Sequence, residues 1–284
     1  MKSILYNPQT NQLRNGWWII IFIAFLAVSR VLYPPISQGL QAMGVNKEYL
    51  GPLAVLFILA VSWCVTKLRN ESLKDIGLNI NLEWCKYSVL GFVVGGLQIA
   101  LIVAAMTLGK GVDFAVNTEA AISSLFIGFY VFFFAVLLEE LLFRGFLFQR
   151  LMAGIGEWPT LILMSALFAA GHLTNPEVNQ DTIVFATLDI MLGAIVFGLA
   201  YIKTKSLALP IGLHLGWNWV QGNVFGFNVS GHDHAGLLVP TITDHPAWLT
   251  GAGFGPEATV FAIAVDLVLF IALVKWRGLN NEEK

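Results

Sequence analysis

Long apolar stretches recur along this 284-residue chain, separated by short polar ones. They run Trp17 to Leu32, Leu50 to Val65, Tyr87 to Leu108, Ile122 to about Leu151, Pro159 to about His172, Ile183 to Ile202, Leu207 to about Val224, and Ala258 to Trp276. A helix crossing a hydrocarbon core of about 30 Å needs about 20 mostly apolar residues. No water at that depth satisfies backbone groups, so helices are expected throughout. The expected fold is all-α, a polytopic membrane protein of about eight transmembrane helices with a polar cavity in the helix core. Residues 1–121 would hold helices 1–3, and residues 122–277 the core, helices 4–8. The fourth window is long enough to tilt or to emerge past the bilayer face. The fifth is short, and Pro159 suits its first helical turn. The connection from Gly226 to Glu257, rich in Gly, Pro and Trp, is expected to fold as a cap.

Composition agrees with this pattern. The chain is 57% hydrophobic and 12% charged, against about 25% charged in a soluble domain. A net charge of −2 without a basic stripe argues against a nucleic-acid partner. The first sixteen residues are too polar for a signal peptide and no small-residue cleavage site follows, so the first window reads as a retained span. With eight spans, both termini lie on one face. That face would hold Lys2, Arg14, Lys67, Arg69, Lys74, Lys86, Arg144, Arg150, Lys203, Lys205, Lys275, Arg277 and Lys284, leaving only Arg30, Lys47 and Lys110 for the other. By the positive-inside rule both termini are cytoplasmic. Cys64 and Cys85 read as packing residues, with no disulfide or metal role. Gly91, Gly95, Gly96, Gly193 and Gly198 read as sites of close helix packing in lipid.

Against that apolar background one stretch stands out. Glu139, Glu140 and Arg144 interrupt the fourth window, where each charge costs about 2.5–3.5 kcal/mol to insert. On a helix Glu140 and Arg144 are i and i+4 and form a structural ion pair. Glu139 lies about 100° round and keeps no such partner. The fifth window ends on His172, and the seventh carries His214 and Asn218 on one face. A carboxylate activates water as general base or as a metal ligand. Histidine orients that water, moves a proton or ligates zinc. A histidine and an asparagine one turn apart suit an oxyanion.

The ordered set Glu139-Glu140-Leu-Leu-Phe-Arg144, Phe168-Ala-Ala-Gly-His172 and His214-Leu-Gly-Trp-Asn218 resembles the CAAX protease and bacteriocin-processing (CPBP, or Abi) family of intramembrane endopeptidases. The resemblance spans about Ile122 to Ala272, including Gly226–Gly231 and Trp248–Glu257, which are similar to a bacterial subgroup. It implies a CAAX-protease-like membrane endopeptidase of the bacterial inner membrane. The substrate would be a membrane-associated peptide or protein, with a role in bacteriocin processing or self-immunity. Catalytic residues would come from Glu139, Glu140, His172, His214 and Asn218. Glu139 and His172 would activate water, and His214 and Asn218 would stabilise the oxyanion. The resemblance leaves two mechanisms open. Glu139, His172 and His214 would hold a zinc ion with water in its fourth position, or a Glu–His pair would hold water without metal.

A straight-helix count creates friction. His214 falls about 10 Å into its span and His172 about 20 Å into its own, so the fifth span must start deeper or tilt for both to reach Glu139. Asp189 and Asp266 are read as buried hydrogen-bonding or interfacial acids, and His232-Asp233-His234 as solvated loop residues. Phe132 to Phe134 and Trp17-Trp18 are read as lipid-facing. A proton-coupled transporter would use the same polar residues, but no inverted repeat is evident. A non-catalytic membrane scaffold is the third reading.

Overall fold

The computed structural model describes residues 2–7 and 12–278. Lys284, counted above for orientation, lies outside the described residues. Eleven α-helices follow one another among them: α1 Lys2–Leu5, α2 Asn15–Ala42, α3 Gly51–Leu68, α4 Leu82–Leu108, α5 Ile122–Phe143, α6 Phe146–Ile155, α7 Glu157–His172, α8 Ile183–Thr204, α9 Ala208–Trp219, α10 Ala247–Thr250 and α11 Val260–Lys275. The protein is an all-α polytopic membrane protein. Among the described residues, five segments are long and apolar enough to cross a bilayer: Asn15–Ala42, Lys47–Leu68, Leu82–Leu108, Ile122–Ile155 and Ile183–Thr204. The other three expected spans, α7, α9 and α11, have 16, 12 and 16 residues.

Several boundaries differ from the sequence pattern. Helix α2 runs through Pro34 and Pro35 to Ala42, ten residues past the end of its window. Ser37 Oγ donates to the Pro34 carbonyl at 2.9 Å, one of the local side-chain bonds that make proline tolerable in such helices. The fourth window breaks: α5 ends at Phe143 and α6 starts at Phe146. Gly145 stands at the break because any Cβ there would strike the Leu141 carbonyl. The connections between the long helices are not all irregular or helical. β1, Val112–Val116, pairs antiparallel with β2, Leu238–Ile242, with Val112 opposite Ile242 and Val116 opposite Leu238.

Contacts among connections mark two ends of the bundle. At one end Leu207 N–H donates to the Gly77 carbonyl, Arg69 and Arg150 approach Glu71, and Lys203 donates to Trp276 O. At the other, Tyr130 donates to Tyr49 O, Asn117 to Gly236 O and Asn175 to Ser230 O. The connection after Gly226 folds over this second end as a cap.

The core is built on α4 against α9. Gly91, Gly95, Gly212 and Gly216 bring the two backbones together, and a Cβ at any of them would meet main chain of the facing helix. Lipid tails give no hydrophobic drive between helices, so this close packing holds them together. Gly198 likewise admits Leu161 and Phe148. Two aromatic expectations are corrected. Phe132 is buried and packs on His234 at 4.7 Å, and Trp18 is buried beneath the Arg69 guanidinium. Cys64 and Cys85 are both free thiols, Cys85 exposed.

Candidate active site

A cavity of about 500 Å³ opens between α5, α7, α8 and α9 under the cap. Glu139, His172, His214 and Asn218 all line it. Glu140 and Arg144 do not; they form the floor behind it. The Glu140 side chain is 0% exposed, whereas Glu139 is 35% exposed toward the cavity. The two adjacent carboxylates therefore differ in environment.

The floor is organised around Glu140 Oε1. Arg144 Nη1 donates to Glu140 Oε1 at 3.0 Å, and Arg144 Nη2 to the Ala194 carbonyl of α8 at 3.0 Å. The guanidinium lies over the rings of Phe168 and Phe197, at 5.0 and 5.4 Å from their centroids. The break after Phe143 frees Arg144 from the helix and turns it inward. Arg144 thus belongs to the protein interior, not to the basic residues of a cytoplasmic loop.

His214 is placed between the two glutamates. Its Nδ1 lies 2.9 Å from Glu140 Oε1, and its Nε2 lies 3.6 Å from Glu139 Oε2. A carboxylate held by arginine only accepts, so Nδ1 carries the proton and a neutral ring turns its Nε2 lone pair to Glu139. The ring stacks on Phe197 at 4.9 Å, which fixes its plane. A distance of 3.6 Å is too long for a hydrogen bond, yet one water can sit about 2.8 Å from both atoms.

His172 sits farther out. Its Nδ1 donates to the Phe168 carbonyl at 2.8 Å, leaving Nε2 unprotonated in the neutral ring. Phe168 lies between the histidines, 4.6 Å from His172 and 6.1 Å from His214. This is the physical answer to the depth mismatch: the helices do not bring both histidines to one level, and the cavity spans the difference. The structure brings Glu139 to His214, where the sequence suggested His172. Glu139, His172 and His214 do not converge as a zinc centre; among the described residues no three His, Cys, Asp or Glu side chains gather as a metal ligand set. Asn218 faces the cavity one turn beyond His214, just before α9 passes into a π-helical turn, Val220–Val224.

Other polar groups also line the cavity, among them Glu257, which was not singled out from sequence. Glu257 is buried beneath the cap. It accepts from Ser230 N–H and Oγ and from Gln221 Nε2, so it ties the loop after Gly226 to the top of α11. Burial holds its carboxyl above the usual carboxylate range, with the Ser230 and Gln221 hydrogen bonds and nearby His172 opposing. Asp189 and Asp266 line the cavity from α8 and α11, and Gln98 Nε2 donates to Asp266 Oδ1 at 2.9 Å. The signal for Asp189 and Asp266 was present: an acid inside a span is functional by default. His232 and His234 stand at the mouth. Burial holds His234 below the usual histidine range, with His232 adding to this and Asp233 opposing it.

Residues 121–220 match the family model described as Rce1-like, type II CAAX prenyl endopeptidase. The matched segment contains Glu139, Glu140, Arg144, His172, His214 and Asn218, and ends before the cap and α11. No curated protein and no solved structure matches the chain.

Proposed function

We propose, for a chain whose residues 121–220 carry the Rce1-like CAAX prenyl endopeptidase domain of the CPBP family, that it hydrolyses a peptide bond of a membrane-associated peptide or protein inside the cavity. The observation that carries this reading is the relay Glu139, His214, Glu140, with only Glu139 open to the cavity.

Water held by the Glu139 carboxylate and His214 Nε2 attacks the substrate carbonyl carbon. Glu139 takes one water proton as the new C–O bond forms. Asn218 Nδ2 donates to the developing oxyanion. Collapse of the tetrahedral intermediate breaks the C–N bond, and the proton on Glu139 passes to the leaving amine. His214 Nε2 accepts the second water proton from the tetrahedral hydroxyl as the C–N bond breaks, and Glu140 supports the resulting cation from behind, much as an acid supports histidine in a hydrolytic triad. His172, one ring farther out, orients the substrate chain. No step is routed through a metal, because the donor groups here fall short of three converging ligands.

The protein would sit in a bacterial inner membrane as a multi-pass chain with both termini cytoplasmic, a reading supported by its basic residues. Peptides of the bacteriocin-precursor kind are among the proposed substrates. The test is cleavage of fluorogenic membrane-anchored peptides by purified wild type and Glu139→Gln, with and without phenanthroline. Loss of cleavage in the variant supports the assignment, and undiminished cleavage overturns it. Loss in chelator alone would assign a metal to the water. Proton-linked flux in proteoliposomes without peptide products would instead identify a carrier.

A further inference from the structure

Four carboxyl groups line the cavity, Glu139, Asp189, Glu257 and Asp266, and no lysine or arginine does among the described residues. Glu139 faces the water position and Glu257 is occupied by Ser230 and Gln221. Asp189 and Asp266 remain. Asp266 Oδ1 accepts from Gln98, while its Oδ2 lies over Gly193, where a Cβ would press on it at 3.1 Å. Gly193 is one helical turn from Asp189, so the two carboxyl groups border one patch of wall. Asp189 is 3% exposed, and its Oδ1 has no hydrogen-bond partner among the described residues. A buried carboxylate without a partner is strongly unfavourable unless it takes up a proton or something cationic completes it.

We propose that Asp189 and Asp266 form a subsite for the lysine or arginine side chain of the peptide substrate. This rests on the endopeptidase reading and extends it to substrate class. Ile190, Ala194 and Phe197 line the adjoining wall and suit the aliphatic stem of such a residue. The spacing gives a register. Ala194, bonded to Arg144, marks the level of the glutamates. Asp189 lies five residues outward on the same helix, about 7.5 Å at 1.5 Å per residue. An extended peptide advances about 3.3 Å per residue, so the cationic side chain belongs two residues from the scissile bond. A free inorganic cation has the same charge, but among the described residues the acids do not gather as a three-ligand set.

The test uses the Glu139→Gln protein in nanodiscs of zwitterionic lipid. The probes are two dansylated, palmitoylated peptides that differ only by lysine or norleucine at one position. About tenfold tighter binding of the lysine peptide is expected, reduced to parity in Asp189→Asn and Asp266→Asn and retained in Glu257→Gln. Equal affinity for the two peptides overturns the subsite, and this comparison needs no folded aspartate variant. Displacement of the lysine peptide by millimolar Na⁺, Mg²⁺ or Zn²⁺, with Asp189-dependent thermal stabilisation by that ion alone, also overturns it in favour of an inorganic cation. Active protein is then given a degenerate anchored-peptide library, with products read by mass spectrometry. Lysine or arginine two residues from the cut supports the register; their absence there overturns it. Lysine-selective binding without any cleavage would sink the endopeptidase reading and leave the cationic subsite standing.

Discussion

His214 Nδ1 donates to Glu140 Oε1 at 2.9 Å, and the same oxygen accepts from Arg144. One buried carboxylate therefore sets the tautomer of the histidine and neutralises the arginine. The pair of glutamates is divided by this bond into a supporting residue and a reacting one.

Replacing each glutamate separates these duties. Glu139→Gln is expected to abolish turnover with little change in melting temperature, since that side chain is 35% exposed in the cavity. Glu140→Gln leaves Arg144 buried without a counter-charge, which costs about 3–5 kcal/mol. It also lets the imidazole adopt the wrong tautomer, with a fall of about 10²–10⁴ in kcat. Thermal unfolding in detergent measured beside single-turnover cleavage distinguishes the two; equal melting temperatures would contradict the division.

Asn218 offers the amide donor nearest the reacting end of α9. Asn218→Ala is expected to lower kcat by about 10²–10³ with KM nearly unchanged, as for the loss of one oxyanion donor. A change confined to KM would move Asn218 from transition-state stabilisation to ground-state binding.

The α4–α9 contact sets the position of His214. A Cβ at Gly95 would overlap the Leu213 main chain. Gly95→Val is therefore expected to lose folded protein altogether, whereas Gly39→Val, with open space around its Cβ position, is expected to fold. Yield and elution profile in detergent give the answer.

His234 supplies a pH dependence at the cavity mouth. Its folded pKa lies below the ordinary value of 6.5, through burial against Phe132 and through His232, with Asp233 opposing. The unfolded chain then binds more protons in that window, so stability rises with pH. It is expected to be lost as pH falls below about 6.5 toward the lowered folded value. His234→Phe, which keeps the ring on Phe132, should flatten the melting temperature between pH 7 and 5. An unchanged slope would place the titrating group elsewhere.

Much of this protein was legible in order along the chain. The apolar windows located the helices because burying a backbone in lipid demands internal hydrogen bonding, whatever the neighbours do. Pro159 fell in the first turn of α7, as its missing N–H requires. The pairing of Glu140 with Arg144 followed from helical spacing, and its 3.0 Å bond survives even though the helix ends there. Glycines on α4 and α8 were readable as packing sites, though not which helix each one faced, and the facing Gly212 and Gly216 of α9 emerged only from the structure.

Position across helices was not legible. Spacing along a chain carries no information about the relative depth of two spans, and the motif resemblance set His172, not His214, beside Glu139. The tertiary structure chose His214, because α9 is drawn against α4 by glycine contacts while Phe168 separates His172 from the floor. The helix break at Gly145, the burial of Phe132, the strand pairing of the cap and the meeting of Asp189 with Asp266 also arise from contacts between residues far apart in sequence. Local chemistry determined which groups are present and which neighbour on the same helix each one meets. Only packing decided which of them share a cavity, because that depends on how closely the backbones of different helices approach.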